Sequence, residues 1–311
     1  MSGSRRSHPP TLLKLAERAL REECVVPRGA RILCAVSGGP DSMALLDVLA
    51  ALAPKLAYEL VAHGVDHGLR PEAVAELELA ARHAAARGVP FERSRVSIAA
   101  GGNLQARART ARYTALDAAA ERAGATFIAT AHHADDRAET VLLRLLRGSG
   151  PRGLAVLPPL AGNRVRPLLR ARRSDVLLHL QRHGVPFAED PSNRDRRHLR
   201  VRVREELLPL LSELSPGVVA HLNALSDMLA PLLDRDSAVA GGIAGLGRAQ
   251  RRQLERAVAL SQRKSEIWLA GGAVLALDAT LTPRLLSRAP GQSSRGPTRR
   301  RARERPRKNA G

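Results

Sequence analysis

Hydrophobic and polar residues follow two alternating spacings along the first two thirds of the chain. Short apolar runs predict strands at 31–36, 59–65, 91–97 and 126–131. Apolar residues at intervals of three or four predict helices at 41–52, 71–87, 104–119 and 135–146. Regular alternation of strands and helices is typical of right-handed crossovers, so the predicted fold class is α/β with a doubly wound parallel sheet.

The pattern changes after Gly150. Four prolines within 151–170 indicate an extended, turn-rich connection, and a short helix is predicted at 174–184. Helical spacing returns from Leu199 and runs into Pro216, and a hairpin is predicted within 267–277. We therefore expect an N-terminal helix, a nucleotide domain, a basic linker helix, a small C-terminal domain and a disordered basic tail, at 1–27, 28–195, 196–215, 216–287 and 288–311.

The charge of the chain narrows the choice of partner. The 311 residues include 50 Lys and Arg against 30 Asp and Glu, which gives a formal net charge of +20. Such an excess favours a polyanion, above all nucleic acid, although a GC-rich coding sequence would also raise the arginine content. Aromatic residues make up only 2% of the chain, so phosphate contacts rather than base stacking would dominate.

Several classes are excluded by what the sequence lacks. No apolar run reaches the length of a membrane span, and charged residues interrupt the first apolar stretch where a signal peptide would lie. Cys24 and Cys34 supply neither a disulfide framework nor a cysteine zinc site. The sequence thus indicates a cytoplasmic protein with no membrane partner.

The segment Ser-Gly-Gly-Pro-Asp-Ser at 37–42 lies between a predicted strand and a predicted helix. Gly38 and Gly39 allow close backbone approach, and the first N–H groups of the helix point at an anion. Pro40 suits a first helical turn, and the two serines could add hydroxyl donors. The segment has no lysine, which a Walker loop requires. We predict a phosphate site that is not a Walker site; the alternative is a plain glycine-rich turn.

A second group of polar residues follows the strand at 126–131. Asp135, Asp136 and Glu139 fall on one side of the first helical turn, where they could hold Mg²⁺ or an ammonium group. Asp135 and Asp136 could equally cap the helix and complement its dipole. His132 and His133 either face the same cleft or are polar groups of the core.

Arginines form two further candidate surfaces. Gln105, Arg109 and Arg112 share a helix face and could neutralise charge on a phosphate. Arg197, Arg200 and Arg204 share a face of the linker helix and suit nucleic-acid phosphates. The alternative for both groups is a solvated charged face.

The loop at 37–42 resembles the pyrophosphate loop (PP-loop) of the N-type ATP pyrophosphatases. Together with the segments 65–70, 103–113, 130–140 and 190–193, it closely resembles the tRNA(Ile)-lysidine synthase family over about residues 25–215. This resemblance implies an adenine-nucleotide α-hydrolase-like fold. It also implies ligation of free L-lysine to the wobble cytidine of an isoleucine tRNA with a CAU anticodon, through an adenylated C2 oxygen, with ATP as co-substrate and Mg²⁺ as cofactor.

The resemblance also implies a role for each motif residue. It assigns ATP binding to Ser37, Gly38, Gly39, Pro40, Asp41 and Ser42, and catalysis to Asp41, Arg112 and His133. Asp136 and Glu139 are expected to bind lysine, and Arg197, Arg200 and Arg204 to bind tRNA. Asp41 and Asp135 are the expected Mg²⁺ ligands.

The sequence departs from the family at two positions and in length. Arg137 stands where the family usually has Gln, and Val201 where it usually has Asn. The C-terminal region is compact, and a homodimer is left open. Two alternatives remain: a pyrimidine thiolase of the same superfamily, which usually brings a Cys-x-x-Cys pair, and a non-catalytic RNA-binding protein.

Overall fold

The computed structural model describes residues 10–68, 72–97, 104–188 and 198–230, and three strands near the C-terminus. The predictions for Asn103, the segment 190–193, Arg197 and the basic tail fall outside the described residues. Chain contacts divide the protein into two compact units, Met1–Leu233 and Asp234–Gly311. No helix in the described ranges has the length and apolarity to cross a membrane.

A six-stranded sheet is the framework of the first unit. Its strands follow the order β3-β2-β1-β4-β6-β5, and only β5 runs antiparallel to its neighbour. The strands are β1 (Arg31–Val36), β2 (Glu59–Asp66), β3 (Phe91–Arg95), β4 (Phe127–Ala129), β5 (Leu160–Ala161) and β6 (Arg164–Val165). This arrangement confirms the predicted α/β fold with a doubly wound sheet.

Helices connect and cover the strands. Those described in the first unit are α1 (Leu12–Arg18), α2 (Pro40–Leu56), α3 (Glu72–Ala86), α4 (Leu104–Arg122), α5 (Ala134–Leu146), α6 (Pro151–Leu154), α7 (Arg173–His183), α8 (Leu199–Arg202), α9 (Leu208–Leu214) and α10 (Val218–Leu229). A π-helical turn follows α1 at Ala19–Glu23, and another joins α8 to α9 at Val203–Leu207.

Alternate residues of β1 face the two helical layers. Ile32 and Cys34 belong to the large core packed with α2, whereas Leu33 belongs to a second core with Leu116 of α4. Because successive side chains of a strand point to opposite faces, one apolar run fills both cores. A fully apolar strand is therefore the sequence signature of this central position.

The prediction for the buried face of α4 was wrong in part. The apolar spacing of the sequence over 104–119 predicts an inner stripe of Leu104, Ala108, Ala111, Ala115 and Ala119. The residues that are buried are Leu116, Ala119 and Ala120, and Leu104 is exposed. Among the described residues, the buried positions of α4 lie in its C-terminal half, which packs on the sheet.

The segment from α8 to α10 packs against α5. Val203 and Leu208 share an apolar cluster with Ala138 and Leu142 of α5. Asn223 of α10 donates a hydrogen bond from Nδ2 to the carbonyl oxygen of Ala134, at 2.9 Å. The predicted linker helix thus holds the helix that carries the candidate carboxylates.

The described part of the second unit is a three-stranded antiparallel sheet. It contains β7 (Glu266–Trp268), β8 (Val274–Leu277) and β9 (Pro283–Leu286) in that order. The pairing of β7 with β8 confirms the predicted hairpin. The sequence analysis did not predict β9, because a strand that begins at proline and contains an arginine has no alternating pattern.

Candidate active site

A cleft of about 710 Å³ opens where the strand order reverses, beyond the carboxyl ends of β1 and β4. Ligands of open α/β sheets bind at this switch point. The loop after β1, the segment after β4, the N-terminal half of α4 and the start of α8 all contribute to the walls. Among the lining residues are Asp41, Arg109, Arg112, His132, Asp136, Arg173, Arg200 and Arg204.

The loop at 37–42 is held by its own hydrogen bonds. The Ser42 hydroxyl donates to the carbonyl of Gly39 (2.9 Å) and accepts from the backbone N–H of Ser37 (3.1 Å). Gly38 has φ +85°, and a Cβ there would lie 2.6 Å from the carbonyl oxygen of Glu76 in α3. Ser42 is buried, and its hydroxyl stabilises the loop. From the sequence, this hydroxyl was predicted to be an additional donor to the phosphate ligand.

The loop leaves backbone donors for a ligand. Gly39 is the N-cap residue of α2, and no side chain accepts a hydrogen bond from the first N–H groups of the helix. Pro40 occupies the first turn. The first N–H groups of a helix have no partner within the helix, and they carry the positive end of its dipole. The geometry of this loop is therefore compatible with the predicted phosphate site.

Asp41, His133 and Asp136 meet at the floor of the cleft. His133 Nε2 lies 3.6 Å from Asp41 Oδ1 and 3.5 Å from Asp136 Oδ2. His133 also caps α5, because its Nδ1 accepts from the backbone N–H of Asp136, whose carboxylate accepts from the N–H of His133. In the neutral ring the proton then resides on Nε2, so His133 faces the two carboxylates as a donor.

The environment shifts the pKa values of these groups in different directions. Burial raises the pKa of Asp41, with the charge of Asp136 adding to the effect. Burial also opposes ionisation of Asp136, but His133, His132 and Arg200 outweigh it and lower its pKa. Burial lowers the pKa of His132 to about 4. Asp41 Oδ1 and His133 Nε2 have no hydrogen-bond partner, which leaves a buried acceptor and a buried donor at the site.

Glu139 lies behind Asp136 and is paired with the linker arginines. Its side chain is 1% exposed. Arg204 donates to it from Nε (2.6 Å) and Nη2 (3.1 Å), and Arg200 from Nε (2.9 Å). Arg200 Nη2 also donates to Asp136 Oδ1 (3.2 Å). The residues predicted for lysine and those predicted for tRNA therefore contact each other.

Asp135, an expected Mg²⁺ ligand together with Asp41, is engaged by two neighbouring arginine residues. Its carboxylate accepts from the side chain of Arg172 (3.0 Å) and from the backbone N–H of Arg173 (2.8 Å). Within the described ranges, no three His, Cys, Asp or Glu side chains are arranged to hold a metal ion. The unpaired Oδ1 of Asp41 is thus the oxygen best suited to a cation shared with bound phosphates.

Arginines surround Tyr113 at the edge of the cleft. The guanidinium carbons of Arg109, Arg112 and Arg164 lie 5.0, 5.6 and 4.8 Å from the centre of its ring. Arg109 also donates to the Tyr113 hydroxyl (3.1 Å). Arg164 and Arg173, which lines the cleft, were not predicted from the sequence, because neither lies in a recognisable motif and only the fold brings them here.

Arg137 is buried where the sequence departs from the family pattern. Its Nε donates to the carbonyl of Val156 (2.9 Å), and its Nη1 lies 2.6 Å from Asp227 of α10. Asp227 also accepts from Arg170, which in turn pairs with Glu23. The charge of this buried arginine is therefore compensated by a carboxylate.

The fold and this loop define a PP-loop protein, and the PP-loop domain family matches residues 13–211. The tRNA(Ile)-lysidine synthase of Thermobifida fusca is 38% identical over 293 residues, which cover 88% of this chain and 90% of that protein. The tRNA(Ile)-lysidine synthase of Novosphingobium aromaticivorans is 41% identical over 209 residues, 65% of this chain and 63% of that protein. The chain belongs to the tRNA(Ile)-lysidine synthase family.

A solved structure supports the fold. The U34-tRNA thiolase NcsA of Methanococcus maripaludis aligns with 70% of this chain and 80% of its own length, with a TM-score of 0.59 and 18% sequence identity. At this identity the likeness extends to the fold alone.

The chain spans only about half of the length of several other family members that it matches, for example 53% of the protein of Aromatoleum aromaticum.

Proposed function

We propose that this protein ligates lysine to the wobble cytidine of an isoleucine tRNA with a CAU anticodon, at the expense of ATP, so that the tRNA reads AUA in place of AUG. Membership of the family supports the reaction. The observation that carries it is the cleft itself, which joins a phosphate-binding loop, a carboxylate pair and a set of arginines in about 710 Å³.

In the first step, the C2 oxygen of the cytidine attacks the α-phosphorus of ATP and pyrophosphate leaves. The N–H groups at the start of α2 bind the phosphates, and Arg112 of α4 neutralises the charge that develops on them. Mg²⁺ would be held by Asp41 together with the phosphates, and would supply further positive charge for the leaving group.

In the second step, the amine of lysine attacks C2 of the cytidine, and the bond from C2 to the AMP oxygen breaks. AMP and a proton leave. Asp136 faces the cleft and attracts the ammonium group of the incoming lysine, with Glu139 behind it. His133 Nε2 lies 3.6 Å from Asp41 and 3.5 Å from Asp136, so a proton on this nitrogen would offset the repulsion between the two carboxylates.

The experiment is ATP–pyrophosphate exchange and lysidine formation with transcripts of candidate tRNAs. We expect pyrophosphate release with the CAU transcript, and lysidine only when lysine is added. The matched control is the same tRNA with uridine at the wobble position, which should support neither step. Equal activity on both transcripts, or pyrophosphate release that does not depend on tRNA, would contradict the proposal.

Cysteine chemistry argues against the thiolation alternative. The Methanococcus thiolase is described with a 4Fe-4S cluster, and such clusters are held by several Cys thiolates. This chain has two cysteines in all. Burial raises the pKa of Cys24 to about 11 and that of Cys34 further still, so neither thiol ionises readily. Retention of Asp41 and Asp136 argues equally against a non-catalytic RNA-binding protein.

A further inference from the structure

Arg200 occupies the space between the two carboxylates that the proposed function assigns to lysine. Its Nε lies 2.9 Å from Glu139 Oε2 and its Nη2 lies 3.2 Å from Asp136 Oδ1. An ammonium group that paired with both carboxylates would have to take this position. Two cations cannot share it, because their mutual repulsion at such a distance is strong wherever water is scarce.

The two linker arginines are held with different strength. Arg204 donates to Glu139 from two nitrogens, and its side chain is 30% exposed. Arg200 makes one hydrogen bond to each carboxylate, and its side chain is 42% exposed. An entering cation would therefore displace Arg200 and leave Arg204 in place.

The charge balance requires the exchange of one cation only. Asp136 and Glu139 carry two negative charges, and Arg200 and Arg204 carry two positive charges. One ammonium group in the place of Arg200 restores the same balance. The released guanidinium remains on α8 at the wall of the cleft, where it could bind a phosphate of a bound RNA.

We propose that Arg200 is an exchangeable counter-ion, which the ammonium group of lysine displaces from Asp136 and Glu139 and which then binds a phosphate of the tRNA. This inference rests on the proposed function, because it takes lysine and tRNA as the ligands. Lysine and tRNA then bind cooperatively. By linkage, each tightens the binding of the other by the same factor.

The experiment is a titration of the full chain with the CAU tRNA transcript over a series of salt concentrations, with and without saturating lysine. A new phosphate contact should steepen the slope of log affinity against log salt by about 0.7–0.9. At low salt, lysine should tighten tRNA binding by about fivefold or more. Norleucine is the matched ligand control because it lacks the ε-ammonium group, and it should leave the slope unchanged.

Two variants separate the exchange from structural damage. Arg200→Ala should remove the effect of lysine on the slope, and it should bind lysine more tightly because no guanidinium competes. A merely structural loss would weaken lysine binding instead. Arg202→Ala is the matched control: Arg202 lies on the same helix and pairs with Glu206 at the surface, and this variant should behave as the wild type does.

Lysine binding and lysidine formation are measured in parallel with the titrations. Lysine that binds without changing the slope would overturn the exchange and leave the proposed function standing. An unchanged lysine effect in Arg200→Ala would overturn it as well. Absence of lysidine formation in the wild type would contradict the proposed function itself, and the exchange with it.

Discussion

The two halves of the cleft are built by different means. On one side, the loop at 37–42 presents backbone N–H groups to the proposed phosphate ligand, and its shape is set by a positive φ at Gly38 and the hydrogen bonds of Ser42. On the other side, α5, α8 and the π-helical turn after α8 contribute charged side chains that form ion pairs with one another. We call the loop side the rigid half, because its own hydrogen bonds set its shape. We call the opposite side the exchangeable half, because counter-ions occupy its carboxylates.

This difference suits the two substrates of the proposed function. The phosphates of ATP are multiply charged and gain most from donors that need no rearrangement. Lysine is a small cation whose binding must be distinguished from that of other cations, and a site already filled by a guanidinium rejects weak competitors. The predictions below test each half in turn.

The largest effect is expected from Gly38→Ala. The new Cβ would meet the backbone of Glu76 at 2.6 Å while φ is +85°, so the loop or α3 must move. We expect a loss of tRNA-dependent pyrophosphate release of roughly 100-fold or more, in line with the misplacement of a phosphate site. Gly150→Ala is the control, since a Cβ there would meet no atom within 4 Å and its φ is -75°. Equal loss in both variants would show that the contact with α3 is irrelevant.

Asp47→Asn tests the side-chain network that holds α2, the helix that follows the loop of the rigid half. Asp47 of α2 is buried and accepts from His179 of α7 (2.9 Å) and His83 of α3 (3.0 Å), and it pairs with Arg87. Removal of the charge leaves the arginine uncompensated, and we expect the free energy of unfolding to fall by about 3 kcal/mol. Denaturant unfolding measures it, and loss of less than about 0.5 kcal/mol would mean that the network does not hold α2.

The same residue predicts a pH dependence. Burial opposes ionisation of Asp47, but His179, Arg87 and His83 outweigh it and lower its pKa. A carboxylate with a lowered pKa stabilises the fold above its unfolded value of 3.8, and that stabilisation is lost as the pH falls through the folded value. The difference in stability between the wild type and Asp47→Asn should therefore shrink as the pH is lowered below about 4. A constant difference would contradict the assignment.

A smaller effect is expected in the exchangeable half from Glu139→Gln. The neutral side chain no longer attracts the ammonium group or fixes Arg204, so the KM for lysine should rise by roughly tenfold while AMP transfer to tRNA survives. Single-turnover assays separate the two half-reactions. Glu213→Gln on the exposed face of α9 is the control. Equal loss of both half-reactions would place Glu139 in the nucleotide half instead.

The smallest effect concerns the edge of the cleft. Arg164 packs on Tyr113 and pairs with Asp117, and it is well placed to meet an RNA phosphate. Arg164→Ala should weaken binding to all tRNAs and lower the salt slope by a little under ~1. Arg147→Ala, at the exposed end of α5, is the control. An unchanged slope in Arg164→Ala would exclude this edge from the RNA surface.

How far the sequence could predict this structure depended on the range of the interaction. The strand 31–36 and the helix after His133 follow from local spacing, and the structure has β1 and α5 within a residue of the predicted limits. The pair of Arg200 with Glu139 joins residues 61 positions apart, and no local pattern encodes it. For the same reason, the face of α4 was misjudged: its apolar spacing is regular, but its buried positions lie in its C-terminal half.

The ion pair of Arg137 with Asp227 bears on how far the catalytic domain can be cut out of the chain. The PP-loop family matches residues 13–211, yet Asp227 lies beyond that limit and neutralises both Arg137 and Arg170. A fragment that ended at residue 211 would leave the buried guanidinium of Arg137 without its counter-charge. The smallest fragment that keeps this ion pair must therefore include α10. When segments are exchanged between relatives, residues 137 and 227 must be exchanged together.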